Sequence, residues 1–300
     1  RKYLLALLVL LTTQHVFSQP YCSVRLFTLR DGLASNVISS IEQSDDQLMW
    51  FSSWNGLSCY DGYTFTTFSD RMGHERTLTT NRILKISKSA LGNVWCLTYD
   101  RQVFLFDRVS CRFVNVSEQV NRLYGALFSC QRIVALPNGH TWLLSRDKET
   151  PCFFVDERQG IHDGAVQMYR QKEGQLKGLE VYGVELDEDG REWILTNGGV
   201  TLVGGHVNLK VAYLYVKQVA GQVFFASHDG QIGYYDSVRK DILPLHGILS
   251  GSQRIVGLSK VGESRLAVLT DKALHVYDVS SHSQVQTPLP TKMSPLGLCV

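Results

Sequence analysis

Leu48-Met49-Trp50-Phe51-Ser52-Ser53 followed by Trp54-Asn55-Gly56-Leu57-Ser58-Cys59-Tyr60-Asp61-Gly62 reads as two short apolar runs, each closed by a polar turn. Ahead of it stand Asn36-Val37-Ile38, Ile41 and a polar turn at Ser44 to Gln47; behind it comes Phe65. The same order of residues returns around Trp95, Trp142 and Trp193, at spacings of 45, 47 and 51 positions. The second copy carries Asn81-Arg82-Ile83, Ile86, Gly92-Asn93, Val94-Trp95-Cys96-Leu97-Thr98, Val103 to Asp107 and Phe113. The third runs from Ile133 through Pro137-Asn138-Gly139 and Trp142 to Phe153-Phe154-Val155-Asp156. The fourth holds Val184, Asp187 to Gly190, Trp193-Ile194-Leu195-Thr196 and Gly198-Gly199-Val200. Two more copies lack the tryptophan: Phe224 to Ser227 with Ile232 to Asp236, and Ala267 to Thr270 with Leu274 to Asp278.

Runs of four to six residues rich in Val, Ile, Phe, Trp and Tyr, broken by Gly, Asn and Asp turns, are the pattern of antiparallel hairpins. Each copy therefore predicts a four-stranded blade. One blade leaves two apolar faces open, so blades must stack, and radial stacking gives an all-β propeller. The spacing predicts about six blades and an incomplete seventh, over residues 24–300. The tryptophans read as packing knobs between blades rather than as sugar platforms. The Asp at 61, 107, 156, 236 and 278 reads as a turn opener. Helical periodicity is weak everywhere, and its nearest candidate is Glu118 to Leu127. Arg25 to Leu29 resembles the last strand of a blade and Leu296 to Val300 the first, which points to a seventh blade shared by both ends and to a longer parent protein.

Residues 1–18 predict a signal peptide: Arg1-Lys2, an apolar run from Tyr3 to Leu11, and Val16-Phe17-Ser18 before a cleavage site at Gln19. The run is too short to span a membrane, and no second apolar run of spanning length follows. The mature chain is thus expected to be exported. Thirty basic and 28 acidic residues give a net charge of +2, without the basic face that nucleic-acid binding requires. Seven cysteines at irregular spacing, with no C-x-x-C, form neither a disulfide framework nor a zinc site, and they read mainly as buried thiols, with one disulfide left open.

No motif for catalysis or for a cofactor occurs: no G-x-S-x-G, no H-E-x-x-H and no phosphate-binding glycine loop. Asp187-Glu188-Asp189-Gly190 has a calcium-loop flavour, but loop position twelve falls on Gly198, so the segment reads as an acidic hairpin turn. Asn115-Val116-Ser117 fits a glycosylation sequon. The loops after the tryptophan strands offer aromatic and polar pairs suited to a ligand-binding rim: Trp54 with Asn55, Tyr99 with Asp100, Arg146, Asn197, and His228 with Asp229.

Asp31-Gly32-Leu33-Ala34-Ser35-Asn36-Val37-Ile38, with the Trp50 to Gly62 segment behind it, is similar to the two-component regulator propeller repeat. That repeat occurs in the periplasmic sensor regions of hybrid two-component system histidine kinases of gut Bacteroidetes. The resemblance implies a non-catalytic sensor that recognises oligosaccharides, acts as a homodimer and signals through a downstream membrane helix to a kinase outside these residues. It implies no particular ligand residue. Two other classes stay open on the residues alone: a propeller-fold polysaccharide lyase or hydrolase, and a protein assembly scaffold. A sialidase-type S-x-D-x-G-x-T-W box is matched only in its back half, Gly139-His140-Thr141-Trp142, with Ala135 and Pro137 where Ser and Asp belong.

Overall fold

The structure, a computed structural model, describes residues 25–69, 78, 80–125, 127–146, 152–162, 165–166, 168–170, 176, 178–203, 208–209, 213–249 and 251–289. The signal-peptide segment 1–18 and Leu296 to Val300 lie outside them, as do Cys22 and Cys299.

Alternation of apolar residues with Gly and Asp turns produces six four-stranded antiparallel sheets, each in simple sequence order. Blade 1 consists of Ile38–Gln43, Met49–Ser53, Gly56–Tyr60 and Phe65–Phe68. Blade 2 follows with Ile83–Lys88, Val94–Thr98, Val103–Asp107 and Arg112–Asn115. Blade 3 is Cys130–Ala135, His140–Ser145, Cys152–Asp156 and Met168–Arg170, with a small hairpin, Ile161–His162 and Ala165–Val166, inserted before its last strand. Blade 4 is Val181–Leu186, Glu192–Thr196, Gly199–Leu202 and Asn208–Leu209. Blade 5 is Tyr215–Val219, Gln222–Ala226, Ile232–Asp236 and Asp241–Pro244, and blade 6 is Ile255–Val261, Arg265–Thr270, Ala273–Asp278 and Ser283–Pro288. First strands of successive blades lie against one another, as in blades 1 and 2, 2 and 3, 4 and 5, and 5 and 6. This is the arrangement of a β-propeller.

The core lies between blades, because successive strand residues point to opposite faces. In Val94–Thr98, Val94 and Cys96 pack with Trp50 and Leu57 of blade 1, while Trp95 and Leu97 pack with Ile133, Leu143 and Phe153 of blade 3. Trp50, Trp95, Trp142 and Trp193 are all at most 2% exposed, and each packs against the blade that follows its own. They are wedges between blades. Gly56 shows why the glycine after the tryptophan strand is needed. Its φ is 118°, and a Cβ there would stand 2.4 Å from the Phe68 carbonyl oxygen.

The recurring aspartates are turn residues. Asp61, Asp107, Asp236 and Asp278 each accept hydrogen bonds from backbone N–H groups two and three residues on, and Asp156 accepts from Arg158 N to cap a short 3-10 turn. Cys96, Cys130 and Cys152 are buried free thiols; Cys59 is half-buried and Cys111 exposed, and none of these five forms a disulfide. Burial pushes the Cys130 and Cys152 thiols up to about 12, so they behave as small hydrophobes.

Two sequence expectations need correcting. Arg25 to Leu29 is not a strand. Phe27 instead inserts its ring against Tyr60 and Phe65, at centroid distances of 5.0 and 5.3 Å, and a Thr28–Asp31 capping box bends the chain into a 3-10 turn. The helix near Glu118 to Leu127 is Val116–Tyr124, capped by the Asn115 side chain at one end and by left-handed Gly125 at the other.

Candidate functional site

In a sheet ordered 1-2-3-4, the turns between strands 2 and 3 open at the same end as the connections from strand 4 to the next blade. Turns 1-2 and 3-4 open at the other. All the candidate residues fall on 2-3 turns: Trp54–Asn55 on blade 1, Tyr99–Asp100 on blade 2, Arg146 on blade 3, Asn197 on blade 4 and His228–Asp229 on blade 5. They therefore share one end of the molecule with the long inter-blade connections.

Their side chains divide into two kinds. Several tie a turn to its neighbouring connection. Asn55 Nδ2 donates to Ala34 O at 3.2 Å, and Asn197 exchanges bonds with Glu180, its Oδ1 accepting from Glu180 N at 3.0 Å while its own N–H donates to Glu180 O at 3.0 Å. Asp100 accepts from the Thr98 hydroxyl at 2.5 Å, and Asp229 from the Ser227 hydroxyl. These groups hold loop shape. The others are exposed: Trp54 at 50%, Tyr99 at 62%, and Arg146 and His228.

Trp54 and the Tyr99 backbone both meet Arg82, a residue not among the candidates from sequence. Arg82 precedes the first strand of blade 2. Its guanidinium lies 5.1 Å from the Trp54 ring centroid, and its carbonyl accepts a hydrogen bond from Tyr99 N at 2.9 Å. Arg146, Asn197 and the His228–Asp229 turn stand on other blades and make no hydrogen bond or ring contact with that trio among the described residues. Blade 6 has an equivalent turn, Asp271–Lys272, that repeats the Asn197 device: Asp271 Oδ1 accepts from Arg254 N and Asp271 N donates to Arg254 O. Its signal was the alignment of Thr270 with Thr196, both at the end of a second strand.

The opposite end is closed by ion pairs and buried carboxylates. Arg108 of blade 2 meets Asp46 of blade 1, Lys88 meets Asp45 at 2.7 Å, and Arg191 meets Asp187 at 2.8 Å. Asp187 accepts in addition from Asp189 N, Arg191 N and Trp193 Nε1, which makes its acidic segment a knotted turn. Among the described residues no cluster of three or more His, Cys, Asp or Glu is placed to hold a metal ion, and no helix is long and apolar enough to cross a membrane.

No protein-family model and no curated protein matches the sequence. Solved structures do. The extracellular domain of BT4673 of B. thetaiotaomicron, assigned to a hybrid two-component system, aligns with a TM-score of 0.60 at 17% identity over 93% of this chain and 40% of its own length. The corresponding domain of BT3049 aligns with a TM-score of 0.56 at 17% identity, over 85% of this chain and 34% of its own. Virginiamycin B lyase of Staphylococcus aureus aligns with a TM-score of 0.56 at 15% identity over 88% of both chains. The chain spans well under half of the first two proteins. At these identities the likeness shows the fold alone, a β-propeller, which the two extracellular domains and the lyase share with this chain.

Proposed function

We propose that this chain is a non-catalytic recognition module from the periplasmic part of a hybrid two-component sensor, and that it binds an oligosaccharide at the loop-bearing end. One observation carries the reading. The four inter-blade tryptophans are buried, whereas Trp54 and Tyr99, on successive blades, are both exposed at the end where the loops open, the Trp54 ring against the Arg82 guanidinium. Exposed indole and phenol rings give the C–H faces of a sugar a stacking surface, and the flanking guanidinium supplies hydrogen-bond donors. In this proposal ligand favours one arrangement of a homodimer, and the shift passes through a membrane helix of a longer parent to a kinase. The fold shared with BT4673 and BT3049 supports a sensor module.

Calorimetry of the exported region against a glycan panel tests it. A binding glycan is expected to lose about tenfold or more in affinity with Trp54→Ala and Tyr99→Ala, in proportion to the stacking contact removed. Unchanged affinity in both variants removes this end as the site. Turnover of the glycan makes the chain an enzyme, and a panel with no binder leaves an assembly scaffold.

A further inference from the structure

One register position of the third strand is occupied by Ser58, Phe104, Phe153, Thr201 and Gly233 in blades 1 to 5, and by His275 in blade 6. Only in blade 6 is it ionisable. His275 pairs with Val268 and stands two residues before Tyr277, on the face of blade 6 that packs against blade 5, and it is 1% exposed.

Its Nε2 lies 3.1 Å from Gln253 Oε1, which also accepts from the Thr270 hydroxyl at 2.8 Å. An amide oxygen only accepts, so Nε2 carries the ring proton and Nδ1 holds a bare lone pair. That Nδ1 is buried and has no hydrogen-bond partner among the described residues. Gln253 belongs to the connection from blade 5 to blade 6, and the blade 5 turn rests on it. Ile255 N donates to His228 O at 3.2 Å, and a Cβ at Gly230 would stand 2.6 Å from the Gln253 carbonyl oxygen. One imidazole thus braces the connection that joins two blades at the loop end.

No counter-charge waits there for a second proton. Asp229 accepts from the Ser227 hydroxyl and Asp271 from Arg254 N at 3.0 Å. Blade 5 presents the phenols of Tyr215 and Tyr234, and Lys217, which pairs with Glu185 of blade 4 at 3.0 Å. On the His275 strand itself Tyr277 meets His282 Nδ1 at 2.7 Å, while His228, His246 and Arg254 are exposed. The second and fourth strands of blade 6 set only uncharged residues beside it, Val268 and Gln286 directly opposite. Burial alone pushes the His275 imidazolium below the ordinary histidine value. Protonation would put an unpaired charge and an N–H without an acceptor into a closed seam.

We infer that His275 is a proton-operated lock on the seam between blades 5 and 6: neutral, it lets the Gln253 connection close over the seam, and protonated, it opens the seam at the loop end. An unfolded histidine titrates near 6.5, and the closed seam resists the proton. The stabilisation is therefore complete above that value and is lost as pH falls below it. The lock works whatever the loop end binds.

Amide hydrogen exchange on the intact exported region, corrected for the pH dependence of the chemical step, tests it at pH 7 and pH 5. Amides of Ile255–Val261 and Ala273–Asp278 are expected to lose up to about twentyfold in protection relative to Val94–Thr98 of blade 2, the fall in neutral fraction of an ordinary histidine over that window. His275→Gln, which keeps a donor for Gln253, and His275→Phe, which copies blades 2 and 3, are each expected to abolish the relative loss. Circular dichroism verifies folding; should neither variant fold, the comparison of blades 2 and 6 in the unchanged protein decides. Equal protection at both pH values, a loss shared equally by blade 2, or a loss that persists in a folded variant overturns the lock.

Discussion

Glu157 illustrates how a packed indole dictates its surroundings. A tryptophan wedged between blades still carries an N–H that must find an acceptor. For Trp95 that acceptor is Glu157 Oε1 of the next blade at 2.6 Å, and the same carboxylate accepts from Thr141 Oγ1 at 2.5 Å and from the Ser89 hydroxyl. Trp142 uses Glu192 Oε2 at 3.1 Å, where Asn138 Nδ2 and His140 Nδ1 also meet the carboxylate. The His140 tautomer follows from chemistry. Arg158 Nη2 lies 3.0 Å from His140 Nε2 and can only donate, so Nε2 accepts and Nδ1 carries the proton towards Glu192. Glu157→Ala strands three donors from two blades and is expected to cost about 3 kcal/mol, read as a lower urea midpoint with an unchanged slope. A loss below about 1 kcal/mol would show that the contact between blades 2 and 3 does not depend on this carboxylate.

The helix Val116–Tyr124 shows an element made by its caps. Val116 and Val120 stand one turn apart on its buried face beside Ser117, so the 3.6-residue period is present but runs for only nine residues, two of them ahead of Glu118. The sequon residues have structural work here: Asn115 Oδ1 accepts from Glu118 N at 2.9 Å, and the Ser117 hydroxyl accepts from Val103 N at 2.8 Å. Asn115→Ala is expected to destabilise the protein by about 1 kcal/mol, measured by thermal or urea unfolding, whereas Asn115→Asp restores most of the loss. The strands were far more legible. Tryptophan spacing and the aspartate that ends the third strand in five of the six blades recur because successive blades solve the same packing and turn problem. Arg25 to Leu29 misled because it precedes Asn36 much as Phe65 to Phe68 precedes the second copy, while the fate of Phe27 was decided by the aromatic pocket of Tyr60 and Phe65.

At the scale of the molecule, one end is latched by charge and the other left open. Arg108 and Ser44 hold the Asp46 carboxyl down to about 2, and Arg158 does the same for Asp156. Both lie below the ordinary carboxylate value near 4, so their stabilisation is complete above about pH 4 and drains away as pH falls towards 2. Urea midpoints are expected to drop across that window, with a shallower drop in Arg108→Gln and little change between pH 5 and 7 from these two groups. The open end was half legible. Trp54 and Tyr99 follow from their turn positions, but Arg82 and Arg254 occupy a site where blade 1 has Val37 and blade 4 has Glu180, so no repeat marks them. The burial of the wedging indoles has an optical corollary. Of five tryptophans only Trp54 stands half in solvent, so a water-borne quencher such as iodide dims a single ring and leaves the rest glowing. The molecule thus carries a built-in lamp at its loop-bearing end, legible without any label.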